Sequence, residues 1–255
     1  MNNRQFTWSG SPNFKALEAE IVACRLCPRL VEYRERIARD KRRAYRDWEY
    51  WGRPVPGFGD SEARIVLIGL APGAHGSNRT GRMFTGDASG DFLYAALYRA
   101  GLANQPTAQH AYDGLRLRGV FITAVCRCAP PDNKPTPQEQ LNCRPYLARE
   151  LALLKQAPVV LALGRIGMDG YLRLLREQGY ALPRVEFRHG ATHRLETLAK
   201  VHREGSAAQL RQPSQGSLPT LVCSYHPSRQ NTQTGRLTAA MMDAAVETAK
   251  KIALG

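Results

Sequence analysis

The stretch Gly69-Leu-Ala-Pro-Gly-Ala-His-Gly-Ser-Asn-Arg-Thr-Gly-Arg-Met-Phe-Thr-Gly-Asp-Ala-Ser-Gly-Asp91 decides how this chain is read. Ahead of it, Arg64-Ile65-Val66-Leu67-Ile68 is the apolar run of a strand buried on both faces. Behind it, Phe92-Leu93-Tyr94-Ala95-Ala96-Leu97 opens a helical pattern. Between the two lie Gly73, Gly76, Gly81, Gly86 and Gly90, so few side chains keep another molecule away from the backbone. A loop of this kind at the carboxyl end of a strand is where open α/β sheets take their ligands. It carries neither the Gly-Lys-Ser/Thr of a P-loop nor the G-x-G-x-x-G of a dinucleotide fold.

Working outward, three more apolar runs read as strands: 119–125, 158–163 and 221–225. Helical patterns lie between and after them, at 92–100, 137–155, 166–178 and 237–254. Strands alternating with helices predict a parallel α/β sheet with helices on both faces. Toward the N-terminus, residues 14–24 have helical spacing, and Arg29 to Trp51 reads as an amphipathic basic helix broken before Trp51. Pro54 to Asp60 is turn punctuation ahead of the first strand. Residues 184–217 are polar and irregular, and 203–217 have the composition of a flexible insertion. The 255 residues are enough for one domain, 1–255, with the N-terminal helices of 14–50 attached to it.

The formal charge of +14 implies a polyanionic partner. No apolar run approaches membrane-span length and no signal-peptide core opens the chain, so the expectation is a cytoplasmic protein with no membrane contact. In such a chain, six cysteines point to metal or redox chemistry before disulfides. Cys24-x-x-Cys27 together with Cys128 and Cys143, around the Pro-rich loop Ala129 to Pro135, suits a four-thiolate site. Zinc and a [4Fe–4S] cluster both take four thiolates, and spacing alone does not separate them. All four predicted strands end in chemically unusual loops: the glycine-rich loop, the Cys/Pro/Asn loop, Gly164-Arg165 and His226-Pro227-Ser228. Loops at one edge of a parallel sheet converge, which argues for a single cleft.

Three motifs carry a resemblance to a known family: Gly69 to Gly76 with Thr80 to Asp87; Arg127-Cys-Ala-Pro-Pro-Asp-Asn-Lys134; and His226-Pro-Ser-Arg-Gln-Asn-Thr-Gln-Thr-Gly-Arg-Leu237. With these the chain resembles the uracil-DNA glycosylase superfamily, and specifically its iron–sulfur branch of family five. The resemblance implies an α/β/α three-layer sandwich with a central four-stranded parallel sheet. It also implies a [4Fe–4S] cluster on Cys24, Cys27, Cys128 and Cys143, with Cys126 and Cys223 outside the set.

What the resemblance implies for the reaction follows residue by residue. Family-four relatives carry an acidic residue after the first motif Gly and a uracil-reading Asn near the end of the second strand; here those places hold Leu70 and Ala124. Asp87, Asn133 and His226 remain as the catalytic set. His226 would donate to the departing base, while Asp87 and Asn133 would hold the attacking water and face the sugar cation. Phe84 would stack on the flipped base, with Gly73, Ala74, His75 and Asn78 around it. Ser228, Arg229, Gln230, Thr232, Thr234 and Arg236 would meet the DNA. The expected activity is monofunctional excision of uracil and other deaminated bases, such as hypoxanthine and xanthine, from double-stranded DNA by a monomer that flips the base. No lysine stands among these residues to form a Schiff base. The competing readings are a catalytically inactive nucleic-acid-binding protein and an iron–sulfur redox protein on the same fold.

Overall fold

The computed structural model describes residues 12–198, 200–201 and 218–255; the stretch 203–217 read as an insertion lies outside them. The helices are α1 (Pro12–Ala23), α2 (Pro28–Asp40), α3 (Ser77–Thr80), α4 (Ala88–Arg99), α5 (Pro137–Leu153), α6 (Arg165–Glu177), α7 (Leu195–Leu198), α8 (Arg229–Gln233) and α9 (Ala239–Leu254). The strands are β1 (Phe58–Gly59), β2 (Ile65–Gly69), β3 (Val120–Ala124), β4 (Val159–Leu163), β5 (Tyr180–Ala181), β6 (Thr192–His193), β7 (Lys200–Val201) and β8 (Thr220–Ser224).

The main sheet has the order β1-β3-β2-β4-β8-β6. Its four central strands are parallel, with Ile65 opposite both Val120 and Val159, and Val159 opposite Thr220. β1 and β6 pair antiparallel at its two edges. Both edge strands fall in segments that the sequence reads as a turn and as irregular chain. Two-residue strands carry no period-2 pattern to find.

Every residue of β2, β3 and β4 is buried, and the side chains alternate between two cores. On one face Leu67, Ile122, Leu161 and Val222 pack with Leu93 and Leu97 of α4 and Met242 and Val246 of α9. On the other, Val66, Ile68, Phe121, Val160 and Leu221 pack with Leu147 of α5 and Met168, Tyr171 and Leu172 of α6. The result is an α/β/α sandwich. Each fully buried aliphatic or aromatic side chain stabilises it by about 1.5–3 kcal/mol. Helix starts are fixed by side chains: Asp87 caps α4, Thr238 caps α9, and Thr136 with Glu139 forms a reciprocal capping box on α5. No helix among the described residues is long and apolar enough to cross a membrane.

The basic helix expected over Arg29 to Trp51 is shorter than its pattern. α2 stops at Asp40, Lys41 takes φ 49°, and a single 3-10 turn follows at Arg43–Tyr45. The apolar residues beyond the stop, Tyr45 and Trp48, are not a helix face. Their rings lie 3.9 and 4.0 Å from the guanidinium of Arg79, an interaction distant in sequence that a helix would forbid.

Candidate active site

The glycine-rich loop leaves the carboxyl end of β2 and folds back over it. Gly69 allows this: a Cβ there would meet the Phe84 ring at 3.0 Å. Phe84 is 8% exposed and its backbone sits at φ 51°, a left-handed conformation costly for an aromatic residue. Gly90 makes that turn possible by passing under the Phe84 carbonyl, where a Cβ would lie only 1.8 Å from the oxygen. Phe84 therefore plugs the floor of the loop and also presents one ring face to a neighbour, the imidazole of His226, at 5.6 Å between centroids and 31° between planes.

His226 follows β8. Its backbone carbonyl accepts the Asn231 amide at 2.8 Å, and its Cβ packs on Gly164, which takes φ 91° at the end of β4. The ring is half-buried, and burial pulls its pKa down to about 4, so it is a neutral imidazole at pH 7. Among the described residues its ring nitrogens have no hydrogen-bond partner, which leaves one N–H available to a ligand.

Asp87 comes from the far end of the glycine loop. One carboxylate oxygen accepts the Gly90 N–H at 3.0 Å and so caps α4. The other oxygen faces the start of the same loop, where a Cβ on Gly76 or Gly73 would approach it to 1.9 or 2.9 Å. Burial raises its pKa, and the N–H groups of Gly90 and Ser89 counter part of that rise. The carboxylate is thus a cap and a wall of the loop at once.

The other expected residues have different surroundings. His75 is half-buried, with its Nδ1 3.0 Å from the Tyr50 hydroxyl; burial lowers its pKa and the charges of Arg42 and Arg79 add to that. Gly73 accepts the N–H groups of Gly76 and Asn78. Asn78 is wholly buried, and its amide donates to the carbonyls of Arg34 and Ala74. These two bonds close the loop, while its Oδ1 is buried without a partner. Asn133 is exposed at φ 55° on the 3-10 turn Pro131–Asn133, and none of the described contacts joins it to Asp87 or His226.

Ser228 caps α8 by accepting the Asn231 N–H, which leaves its own proton available. Thr232 and Thr234 instead donate theirs to the carbonyls of Ser228 and Gln230, so neither reaches an anion without rotating its hydroxyl. Arg229 and Gln230 are exposed, and Arg236 lies over the Tyr225 ring at 4.7 Å. The sequence reading did not assign a role to Asn231, which braces His226, or to Arg127 and Glu150. That pair is 2.7 Å apart and almost wholly buried, and Glu150 also accepts from Thr123 and the Gly57 N–H, fixing the exit of β3. Nothing short of the fold brings Glu150 of α5 to Arg127.

The thiols of Cys27, Cys128 and Cys143 are buried and that of Cys24 is half-buried, all near the junction of α2, α5 and the loop after β3. Arg34 donates to the Cys128 sulfur at 2.8 Å and Asn142 to the Cys27 sulfur at 3.3 Å. Burial pushes the Cys128 thiol up to about 12, while a hydrogen bond from Cys126 pulls Cys143 down. Arg34 is 2% exposed with an Nε that finds no partner, and its nearest carboxylate, on Glu35, is 3.9 Å away. A guanidinium buried this deeply against sulfur is at home beside a negatively charged thiolate group and poorly matched to neutral thiols. Among the described residues no three His, Cys, Asp or Glu side chains are spaced to hold a single metal ion.

Comparison with known proteins agrees with this geometry. A family model described as the uracil DNA glycosylase superfamily matches residues 56–250. A type-5 uracil-DNA glycosylase of Thermus thermophilus is 49% identical over 239 residues, covering 94% of this chain and 98% of that protein. Type-5 uracil-DNA glycosylases of Mycobacterium tuberculosis and Pyrobaculum aerophilum are 48% and 43% identical, covering 96% and 86% of this chain and 83% and 84% of theirs. With the parallel sheet, the glycine loop and the His226 turn all inside the matched region, the chain belongs to the uracil DNA glycosylase superfamily and, within it, to the type-5 uracil-DNA glycosylases.

Proposed function

We propose that this protein is a monofunctional DNA glycosylase that hydrolyses the N-glycosidic bond of uracil in double-stranded DNA and accepts other deaminated bases, hypoxanthine and xanthine among them. The observation that carries the reading is the pairing of a neutral imidazole, its ring without a hydrogen-bond partner among the described residues, with the Phe84 ring on the floor of the loop that holds Asp87.

The target nucleotide has to leave the duplex, at a cost of about a few kcal/mol in unstacking. Phosphate contacts offset this, and Ser228, Arg229 and Arg236 supply donors at the exposed turn of α8. As the bond between sugar and base lengthens, positive charge grows on the sugar and negative charge on the base. His226, already neutral, donates its N–H to a base oxygen without first losing a proton, and a donor aimed at developing charge is worth roughly 10²–10³ in rate. Asp87 as the anion faces the sugar cation and orients water, and Asn133 is the second water-holding group in this reading. Leu70 and Ala124 offer no side-chain hydrogen bond to a base edge. A site with fewer obligatory partners discriminates less between bases, which supports the wider substrate range.

The proposal includes a [4Fe–4S] cluster held by Cys24, Cys27, Cys128 and Cys143, with Arg34 and Asn142 as donors to its sulfur ligands. When bound, the cluster supplies a rigid cross-link between the N-terminal helices and the loop that carries Asn133. Excision assayed on duplexes carrying uracil, hypoxanthine or xanthine, with alkaline cleavage at the abasic product, tests the reading. Loss of product with Asp87→Ala and His226→Ala while duplex binding survives supports it, and a wild-type protein that leaves all three duplexes intact ends it.

A further inference from the structure

Two arginines of the glycine loop are buried, and they are held in different ways. Arg82 has a carboxylate partner, Asp113, at 2.8 Å. Arg79 is 3% exposed and makes no ion pair among the described residues, although the charge of Asp87 is near enough to favour its charged form. Its guanidinium is instead gripped between the rings of Tyr45 and Trp48, at 3.9 and 4.0 Å from their centroids, with those rings 77° apart. Its Nε donates to the His75 carbonyl at 2.8 Å and its Nη2 to the Gly86 carbonyl at 2.7 Å, and Nη1 is buried without a partner. Burying a cation on two carbonyls and two aromatic faces is a costly arrangement to keep for structure alone.

The two carbonyls explain what it holds. Gly86 immediately precedes Asp87. His75 immediately precedes Gly76, the residue whose Cα lies against the Asp87 carboxylate. The fork of Arg79 therefore fixes the spacing between the backbone that carries Asp87 and the wall its carboxylate faces. Gly86 is matched to the same fork: at φ 80°, a Cβ there would meet Arg79 Nη2 at 2.5 Å. A lysine cannot bond two diverging carbonyls in this way, because it has no planar fork.

We propose that Arg79 is the positioning residue for the Asp87 carboxylate, and that Tyr45 and Trp48 form the aromatic clip that keeps its guanidinium across the loop. The inference rests on the reading of Asp87 as the group that faces the sugar. It also gives the turn after α2 a function: the segment that follows the two N-terminal helices reaches the reacting centre through Arg79, not through DNA.

The test is a double-mutant cycle on the full chain. Single-turnover excision is measured on a uracil duplex, and affinity on a duplex carrying a non-cleavable 2′-fluoroarabino-uridine. Arg79→Lys is expected to slow excision about 10–100-fold, the scale of a small misplacement of a reacting group, with affinity within about twofold of wild type. In an Asp87→Asn background the same change is expected to cost almost nothing further, since the charge it positions is gone. Trp48→Leu, which leaves Arg79 in place, is expected to follow the same pattern with a smaller loss, and it replaces Arg79→Lys in the cycle if that variant does not fold. Full additivity of the two losses, or an Arg79→Lys protein that excises at the wild-type rate, overturns the inference. Failure of the wild type to excise uracil defeats the functional reading instead, so the two failures are distinct.

Discussion

The imidazole of His226 stands 5.6 Å from the ring of Phe84, tilted by 31°, so the aromatic residue of one sheet-end loop is the wall against which the titratable residue of another is set. Phe84 holds that position at φ 51°, and the apolar contact keeps water from one side of the imidazole. The depressed pKa of His226 is a consequence of this packing, since burial is its cause.

His226 gives the first prediction a sign. Its folded pKa of about 4 lies below the ordinary 6.5, so between those values the unfolded chain binds a proton that the folded chain does not. Its contribution to stability is therefore intact above pH 6.5 and falls as the pH drops toward 4, by at most about 3 kcal/mol. Urea unfolding midpoints from pH 7 to pH 4 should fall less steeply in His226→Gln than in wild type. That substitution should also slow excision by about 10²–10³ at pH 7. Parallel pH curves for the two proteins would contradict the buried, neutral state.

Asp87 has two separable duties. Asp87→Asn keeps an oxygen to accept the Gly90 N–H, whereas Asp87→Ala loses it. Both should lose most excision. Only the alanine should also lose about 1 kcal/mol of stability, the usual worth of a helix N-cap. Denaturation of the two variants side by side measures the difference, and equal stability would mean that the cap contributes nothing.

The sequence made the central sheet legible because its strands are buried on both faces: each of β2, β3, β4 and β8 lies within a residue or so of the apolar run that marks it. Where residue type and loop position agree, as at His226 and Phe84, the structure brings the two named residues against each other. The site was not legible where long-range geometry decides. Tyr45 and Trp48 have helical spacing yet lie against Arg79, and Glu150 reaches Arg127 from another layer. By residue type alone Asp87 reads as a helix cap, its catalytic role being implied by the motif, and the structure gives it the cap while leaving its second oxygen on the loop.

Gly76 is predicted to be intolerant of the smallest side chain. A Cβ there would stand 1.9 Å from the Asp87 oxygen, so the carboxylate must move. Gly76 itself sits at φ −99°, ψ −104°, between the α and β regions, so alanine there also strains the backbone. Gly76→Ala should therefore lose some stability and, at a temperature where it is folded and binds duplex, excise uracil at least about tenfold more slowly, on the scale of a misplaced reacting group. Wild-type rates in that variant would show that the carboxylate does not need its present position.

Removing the proposed cluster should be felt as lost structure first. Cys128→Ser deletes the sulfur that faces Arg34 and leaves a buried guanidinium uncompensated. Bound iron and visible absorbance should both fall, and the melting temperature with them, because breaking a buried charge pair costs about 3–5 kcal/mol. Arg34→Met should retain iron better than Cys128→Ser, since it takes away a donor and not a ligand. Iron content by colorimetric assay, read beside the melting curve, checks the order, and equal iron in wild type and Cys128→Ser would remove Cys128 from the ligand set.

The turn of α8 and the net charge of +14 lead to a prediction about salt. Arg229 is exposed at the first position of α8, beside the Ser228 cap, while Arg236 is exposed but lies across the Tyr225 ring. Each arginine that neutralises a duplex phosphate adds about 0.9 to the slope of log affinity against log salt. Arg229→Ala and Arg236→Ala should each lower that slope by about one, with little dependence on the sequence around the lesion, because phosphate contacts position without reading bases. Loss of the Tyr225 platform should weaken only the Arg236 term, so Tyr225→Leu is expected to mimic Arg236→Ala and to add little to it. Fluorescence anisotropy of an undamaged duplex across a salt series measures all three, and a wild-type affinity that stays flat with salt would mean that the basic surface does not meet DNA.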